Sequence, residues 1–479
     1  MNFRKILLFS LVLALFSGFF LTSCTEEDDS NNASSTKLVA NYGAEASLRW
    51  NKLFLEIERY GNGYRPGPAP RALGLMGLAT YEACITGMPD YNSLEARFDG
   101  LNIPNAETGV EYHWPTVVHA VYTVMMKDFF DPTANPNSAF PSSVLASWNA
   151  LVTELNDKYL AEAGSDLFNR SKAYGESVGN AVWAWSTNDT YGHNAYRNPF
   201  GNYNTNESYS WADHYQGPGN WEPTVPGPTS PMGPFFGKAK TFALSDQEKL
   251  CLPPSAYYME YNENPNSEYY SQAVQAYTKN AATDYNTEWV GEFWSDDLLG
   301  LTFSPGPRWA AICNQVVEAE NSNLQTALEA YAKVGMSLND AAVGAWYSKY
   351  YYNVERPVTF IKKFIDSTYK SNLDNPITGD IGFVPPFPAF PSGHSTMGAA
   401  GAEALASVFG YNYSMTDRCH YGRTDFEGTP RTFHSFLEMA QENAWSRVLL
   451  GTHWRMDCDE GVRFGTDIAR KVDALPWKK

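Results

Sequence analysis

The sequence predicts an all-α fold, built from helical bundles with its chemistry-bearing residues in the C-terminal one. Three observations predict it. From residue 44 onward, apolar residues recur at helical spacing through most of the chain. Alternating apolar–polar runs bounded by hairpin turns are hard to find. The composition is 43% hydrophobic and 15% aromatic but only 18% charged, below the roughly 25% charge of ordinary globular domains. At 479 residues the chain can bury a large core without staples.

Residues 1–24 read as a targeting segment. Arg4 and Lys5 precede an apolar run from Ile6 to Leu21, too short and too close to the terminus for a membrane span. The run ends Leu21-Thr22-Ser23-Cys24, which resembles a bacterial lipobox. That resemblance implies a lipid anchor at Cys24 and a place in the envelope of a Gram-negative bacterium. The protein would be held to the outer membrane, periplasmic or surface-exposed. Residues 25–40 are an acidic and polar linker carrying Glu26, Glu27, Asp28 and Asp29.

A first helical domain is expected over 41–240. Its helices run from Ala44 to Tyr60, Ala69 to Ile85, Thr116 to Phe130, Ser143 to Leu160 and Leu167 to Trp185. A loop over 186–240, rich in Asn, Gly, Pro, Tyr and Trp, closes it. A loop of this length is often functional, as a lid or an interdomain connection. The second domain, 241–479, carries candidate helices from Glu288 to Leu299, Pro307 to Glu320, Leu324 to Arg356, Ser395 to Phe409 and Phe433 to Leu450. After Cys24, five cysteines remain, an odd number whose pairing sequence does not reveal. The oligomeric state is equally open.

The formal net charge of −18 argues against nucleic acid as a partner, because its phosphates demand a basic surface. An anion site must then be a local basic pocket in an acidic body. Three fragments supply one. In the first, Lys349 and Arg356 are seven apart, two turns along one helix face. Pro357 disfavours helix in the residue before it, so Arg356 should sit at a helix end.

The second fragment, Pro391-Ser392-Gly393-His394, opens an Ala-rich run. Helix N-terminal amides bind anions. Gly393 permits close approach, Ser392 adds a hydroxyl, and His394 can move a proton. In the third, Ser446-Arg447 precedes His453 and Asp457, an i,i+4 pair expected on one helix face. A carboxylate behind an imidazole fixes its tautomer and raises its basicity. Arg447 falls off that face unless Gly451 breaks the helix or the long side chain reaches across. Taken singly, each fragment reads as well as a solvated face or a plain cap. Guanidinium forks, a lysine, a hydroxyl and helix-end amides together suit a tetrahedral oxyanion. The chain carries no Walker loop, no H-E-x-x-H and no G-x-S-x-G elbow.

The pattern K-x6-R-P, P-S-G-H, S-R-x5-H-x3-D resembles the type-2 phosphatidic acid phosphatase and vanadium haloperoxidase superfamily, at every motif position between 349 and 457. The segment Phe383-Val-Pro-Pro-Phe-Pro-Ala-Phe-Pro-Ser-Gly-His394 is similar to the chloroperoxidases. In that family Phe387 and Trp346 would line the halide side. Trp294-Ser-Asp-Asp297 resembles a stretch whose Asp orients the third-motif Arg, here Asp297 toward Arg447, with Asp296 one residue away as the alternative.

The resemblance implies vanadate as cofactor, with hydrogen peroxide and halide as substrates. His453 would bind vanadium through a ring nitrogen, with Asp457 behind it. Lys349, Arg356, Arg447, Ser392 and the Gly393 amide would hold the remaining oxygens. His394 would serve as acid and base, and Lys349 would polarise peroxide. The same residues would serve an acid phosphatase, with His453 as nucleophile, or a phosphate-capturing surface protein. The length, Trp346 and Phe387 favour the haloperoxidase. Halide preference and organic acceptor stay open. His420 and His434, between the second and third motifs, are further candidates for substrate contact.

Overall fold

Two helix pairs pack most extensively: α2 (Pro68–Cys84) with α10 (Leu324–Tyr352), and α12 (Gly393–Phe409) with α14 (Arg455–Asp473). The computed structural model describes residues 37–130, 140–224, 228–251, 257–282 and 284–479. The expected signal segment, Cys24 and the linker up to residue 36 lie outside the described residues.

The first five helices are α1 (Glu45–Glu58), α2 (Pro68–Cys84), α3 (Trp114–Phe130), α4 (Ser142–Ala163) and α5 (Ser165–Ser186). Each matches a stretch expected from periodicity. The next are α6 (Trp211–His214), α7 (Glu268–Asn280), α8 (Tyr285–Phe293), α9 (Pro305–Ala319) and α10 (Leu324–Tyr352). The last are α11 (Pro357–Phe364), α12 (Gly393–Phe409), α13 (Phe436–Leu449) and α14 (Arg455–Asp473). A short antiparallel hairpin pairs β1 (Met415–Asp417) with β2 (Arg431–Phe433).

Helix α10 starts where the Asn323 side chain accepts from the Thr326 amide, satisfying one orphan donor of the first turn. It is buried along most of its length, so it has no broad solvent face, and the charged Asp340 and Lys349 that it carries are buried with it. Small residues let the central helices touch. A Cβ on Gly77 would lie 2.8 Å from the Ala332 Cα, and one on Gly335 would lie 2.5 Å from the Leu73 carbonyl oxygen. The α12–α14 contact is tighter still, because a Cβ on Gly465 would meet the Thr396 carbonyl oxygen at 2.0 Å.

Lys37–Lys479 cluster as one compact unit, and α2 from the first half packs against α10 from the second. The stretch just after residue 240 is fixed to α10. There the buried Asp340 carboxylate accepts from the amides of Phe242, Ala243 and Leu244 at 2.8, 2.7 and 3.1 Å. The described residues of the loop expected over 186–240 are mostly irregular and turn-rich. Arg71 on α2 holds the loop through Asp189, at 3.2 Å. No described helix is long and apolar enough to cross a membrane. The cysteines Cys84, Cys251, Cys313, Cys419 and Cys458 are free thiols.

Three expectations are corrected. The helix expected to run to Leu299 ends at Phe293, leaving Asp296 and Asp297 in the turn after it. The helix expected from Leu324 to Arg356 ends at Tyr352, because Asn353 takes a left-handed conformation with φ 51°. His453 and Asp457 do not share a helix face: Gly451, φ 72°, breaks the chain after α13, and α14 begins at Arg455.

Gly465→Val should prevent α12 and α14 from closing. It is expected to cost about 1–3 kcal/mol or more in stability, read as a lowered Tm, and to weaken oxyanion binding in the folded fraction. An unchanged Tm would show that this helix contact is dispensable.

Candidate active site

Helix ends and turns, rather than helix faces, deliver the functional side chains. Lys349 leaves the last turn of α10. Arg356 sits at the N-cap of α11, brought beside Lys349 by the turn at Asn353. Ser392 is the N-cap of α12, its Oγ accepting from the Ser395 amide at 3.3 Å, and Gly393 and His394 form the first turn. Arg447 projects from the last turn of α13. His453 lies in the link to α14, and Asp457 in the first turn of that helix.

The Asp457 carboxylate serves both helix start and imidazole. Its Oδ2 accepts from the Trp454 amide at 3.0 Å and lies 2.8 Å from His453 Nδ1. His453 Nε2 is 2.9 Å from Arg356 Nη1, and a guanidinium only donates. Nε2 is therefore the acceptor, and the ring carries its proton on Nδ1, toward Asp457. The Ser392 amide in turn donates to the Asp457 carbonyl at 2.9 Å, locking the start of α12 to the start of α14.

Arg356 also donates from Nε to the Phe387 carbonyl at 3.0 Å and from Nη1 to Thr452 at 2.9 Å. Lys349 donates to the carbonyls of Pro388 and Ala389 at 2.9 and 2.8 Å. The Phe387 ring lies 5.2 Å from the Lys349 ammonium and 5.0 Å from the Arg356 guanidinium. Trp346 packs on Phe387 at 5.0 Å. This aromatic pair keeps water off the cations while its π-faces attract them.

Asp297 bonds Arg447 Nη2 at 2.7 Å and lies 3.6 Å from His394 Nε2. Asp296, the alternative one residue away, instead faces Arg308 and His420 at 3.3 and 3.4 Å. Asp297 is thus the Arg447 partner. His420 is buried behind the site, and His434 is on the surface against Glu438. Neither lines the cavity, so both are corrected as substrate-contact candidates.

A cavity of about 270 Å³ opens onto these groups, its wall including Trp346, Phe387, Gly393, His394, Arg447 and His453. Lys349, Arg356 and Ser392 stand just behind that wall. The outer part is apolar, lined by Pro199, Phe200, Leu298, Leu299 and Phe383 among others. Arg65, also on the wall, was not legible in the sequence. It lies in a Pro- and Gly-rich turn between α1 and α2, with no motif around it.

The electrostatics are those of a site built for an anion. Burial, and then Arg356, push the Lys349 ammonium well below its ordinary value. Burial draws Arg356 down to about 10. Burial, and then Arg447, push His394 down to about 3. Burial, Arg356 and Lys349 hold His453 well below its ordinary range. Burial pushes Asp457 up to about 7, against the pull of Lys349 and Arg356. Burial would also raise Asp297, but Arg447 and His394 hold it below the usual carboxylate range.

Whether a tetrahedral oxyanion fits can be read from the polar atoms left over. Arg356 Nη2, Arg447 Nε and His394 Nε2 are buried without a hydrogen-bond partner among the described residues. Orphaned buried donors are costly. A doubly or singly charged oxyanion would satisfy the guanidinium donors and restore the charged forms of the basic groups. The residues fit vanadate or phosphate.

Fold and site together define a class: helical-bundle proteins with a buried basic pocket around a histidine backed by a carboxylate. A family described as the VCPO second helical-bundle domain matches residues 329–475. The chain is 25% identical over 494 aligned residues to vanadium chloroperoxidase of Curvularia inaequalis, covering 87% of this chain and 79% of that one. Its fold is similar to the first bacterial vanadium-dependent iodoperoxidase solved, with a TM-score of 0.75 and 26% identity, over 91% of this chain and 97% of that one. A bacterial vanadium-dependent chloroperoxidase in its holo form shares the fold at a TM-score of 0.58 and 14% identity, over 87% and 94% of the two chains. In fold and in sequence the chain is thus similar to vanadium haloperoxidases over most of its length.

Acid stability reports on His394. Its folded-state value, about 3 against an ordinary 6.5, is depressed, so its neutral form contributes stability above pH 6.5 that is lost as pH falls toward 3. His394→Gln should therefore show a shallower fall in Tm between these limits than the unmodified protein. Parallel Tm–pH curves would mean that the ring is not held neutral.

Proposed function

We propose that this protein oxidises halide with hydrogen peroxide to hypohalous acid, using vanadate, and that iodide and bromide are its halides. The overall reaction, halide plus peroxide plus a proton giving hypohalous acid and water, consumes one proton that the protein must deliver. The observation that carries the reading is the convergence of unpartnered guanidinium and imidazole nitrogens beside His453–Asp457. Iodide is favoured by the likeness to the bacterial iodoperoxidase at 26% identity. Trp346 and Phe387, in contact at 5.0 Å, form an apolar, polarisable wall suited to large halides.

Vanadate, when bound, supplies the Lewis-acid centre at which peroxide is activated. The chain's own residues do the rest. His453 would present the Nε2 lone pair, which accepts from Arg356 Nη1, because Asp457 accepts a hydrogen bond from Nδ1–H and so fixes that tautomer. Arg356, Arg447, Lys349, the Ser392 hydroxyl and the first-turn amide of Gly393 neutralise oxyanion charge. His394 Nε2 receives or gives a proton. Asp297 sets the position of Arg447 and, 3.6 Å away, favours the protonated ring that an incoming anion creates. Trp346 and Phe387 exclude water from this corner, which strengthens each of these interactions.

The segment Leu21–Cys24 supports envelope localisation with a lipid at Cys24. On that reading, Cys24→Ser should move the protein from the membrane to the soluble fraction of its host. Membrane retention would refute the anchor.

The activity is tested with protein lacking residues 1–24, stripped by chelation and assayed for iodide and bromide oxidation before and after orthovanadate. Turnover should appear only with vanadate, faster for iodide. His453→Ala should abolish vanadate retention on dialysis and reduce turnover by at least about 100-fold. Hydrolysis of an aryl phosphate, inhibited by vanadate and with no halide oxidised, would instead establish the phosphatase with the same residue roles.

A further inference from the structure

The apolar half of the cavity contains one cation that the oxyanion machinery does not use. Arg65 lies in the turn between α1 and α2, and its side chain is 10% exposed. Its Nη2 donates to the Thr302 carbonyl at 2.6 Å. Its Nε and Nη1 are buried and have no hydrogen-bond partner among the described residues. Glu58 lies 3.5 Å from Nε, but the Glu58 oxygens are directed to Ser304, accepting from its hydroxyl at 2.6 Å and its amide at 3.0 Å. Other charges line this wall. Asp296 is taken up by Arg308 and His420, Asp297 by Arg447, and Asp380 is exposed and bonded to Thr378. Arg65 thus lines a chamber that Pro199, Phe200, Leu298 and Leu299 also wall, with Nη1 lacking any partner among the described residues and Nε facing only the Glu58 carboxylate at 3.5 Å, without a hydrogen bond.

We propose that Arg65 forms a second anion position in the cavity, which receives the halide before its oxidation. The proposal rests on the haloperoxidase reading. A large halide is weakly hydrated and polarisable, and a guanidinium is more weakly hydrated than an ammonium. Pairing them in an apolar chamber costs less desolvation than pairing a small anion with a lysine, and it satisfies donors that otherwise stay orphaned. The position also explains why the first half of the chain reaches into a cavity whose oxyanion residues all come from the second half. Arg65 contributes the halide contact, and Arg447 and His394, farther along the same wall, contribute to the oxyanion end.

The test is bromide binding by 81Br line broadening, with bromide-soaked crystals locating the ion. Arg65→Gln removes the charge but keeps a donor for Thr302. It should weaken bromide binding by about tenfold and raise the halide KM similarly, while vanadate affinity, peroxide KM and Tm stay within about twofold or a few degrees. Bromide density against the guanidinium in the unmodified protein supports the position. Undiminished bromide binding in Arg65→Gln, or bromide only beside Trp346 and Phe387, overturns it. So does a parallel loss of vanadate affinity and Tm, which would make Arg65 only a tether for the segment around Thr302. Binding is read without turnover, so the two readings fail separately. Bromide at Arg65 in a protein that oxidises no halide would sink the haloperoxidase reading, and halide oxidation without it would sink this one.

Discussion

The burial of Lys349, Arg356 and Arg447 beside one another is the constraint on which the rest of the site depends. Like charges removed from water repel, and each loses hydration. The protein manages this by local compensation. Carbonyls from the segment before α12 accept from Lys349 and Arg356, Asp297 neutralises Arg447, and an aromatic pair covers the first two cations. The remaining demand for negative charge is left to the ligand. A net acidic body with a buried basic centre therefore binds its anion by satisfying donors already in place, so little reorganisation is needed.

Holding such a centre requires a rigid frame, and the frame is made from glycine contacts. Gly461 and Gly465 let α14 lie against the first turns of α12, so the His453–Asp457 end of one helix meets the Ser392–His394 end of the other. The link from the Ser392 amide to the Asp457 carbonyl ties these two ends directly. A shift along this interface would separate the imidazole from the helix amides, which couples packing to chemistry.

The functional side chains were legible because each sits in a short motif whose residue types suit one ligand. Lys349, Arg356, Ser392, Gly393, His394, Arg447, His453 and Asp457 all converge as their motifs suggest. The means of convergence was not legible. Helix-face spacing suggested that Lys349 and Arg356, and His453 and Asp457, were neighbours by periodicity. Left-handed residues at Asn353 and Gly451 instead end the helices and bend the chain. An Asn or a Gly in a helical run is a weak breaker signal, and tertiary packing decides whether it is used.

By itself the sequence determined the helical class, which residues would gather into a basic site and the sign of the charge that site suits, because periodicity and residue chemistry are local properties. Tertiary structure alone decided that Asp297 rather than Asp296 meets Arg447, that His420 and His434 stand away from the cavity, and that Arg65 enters it. These outcomes depend on which turns oppose each other across the core. Residues roughly 150 to 240 positions apart meet there, and no local pattern records a contact made at that separation.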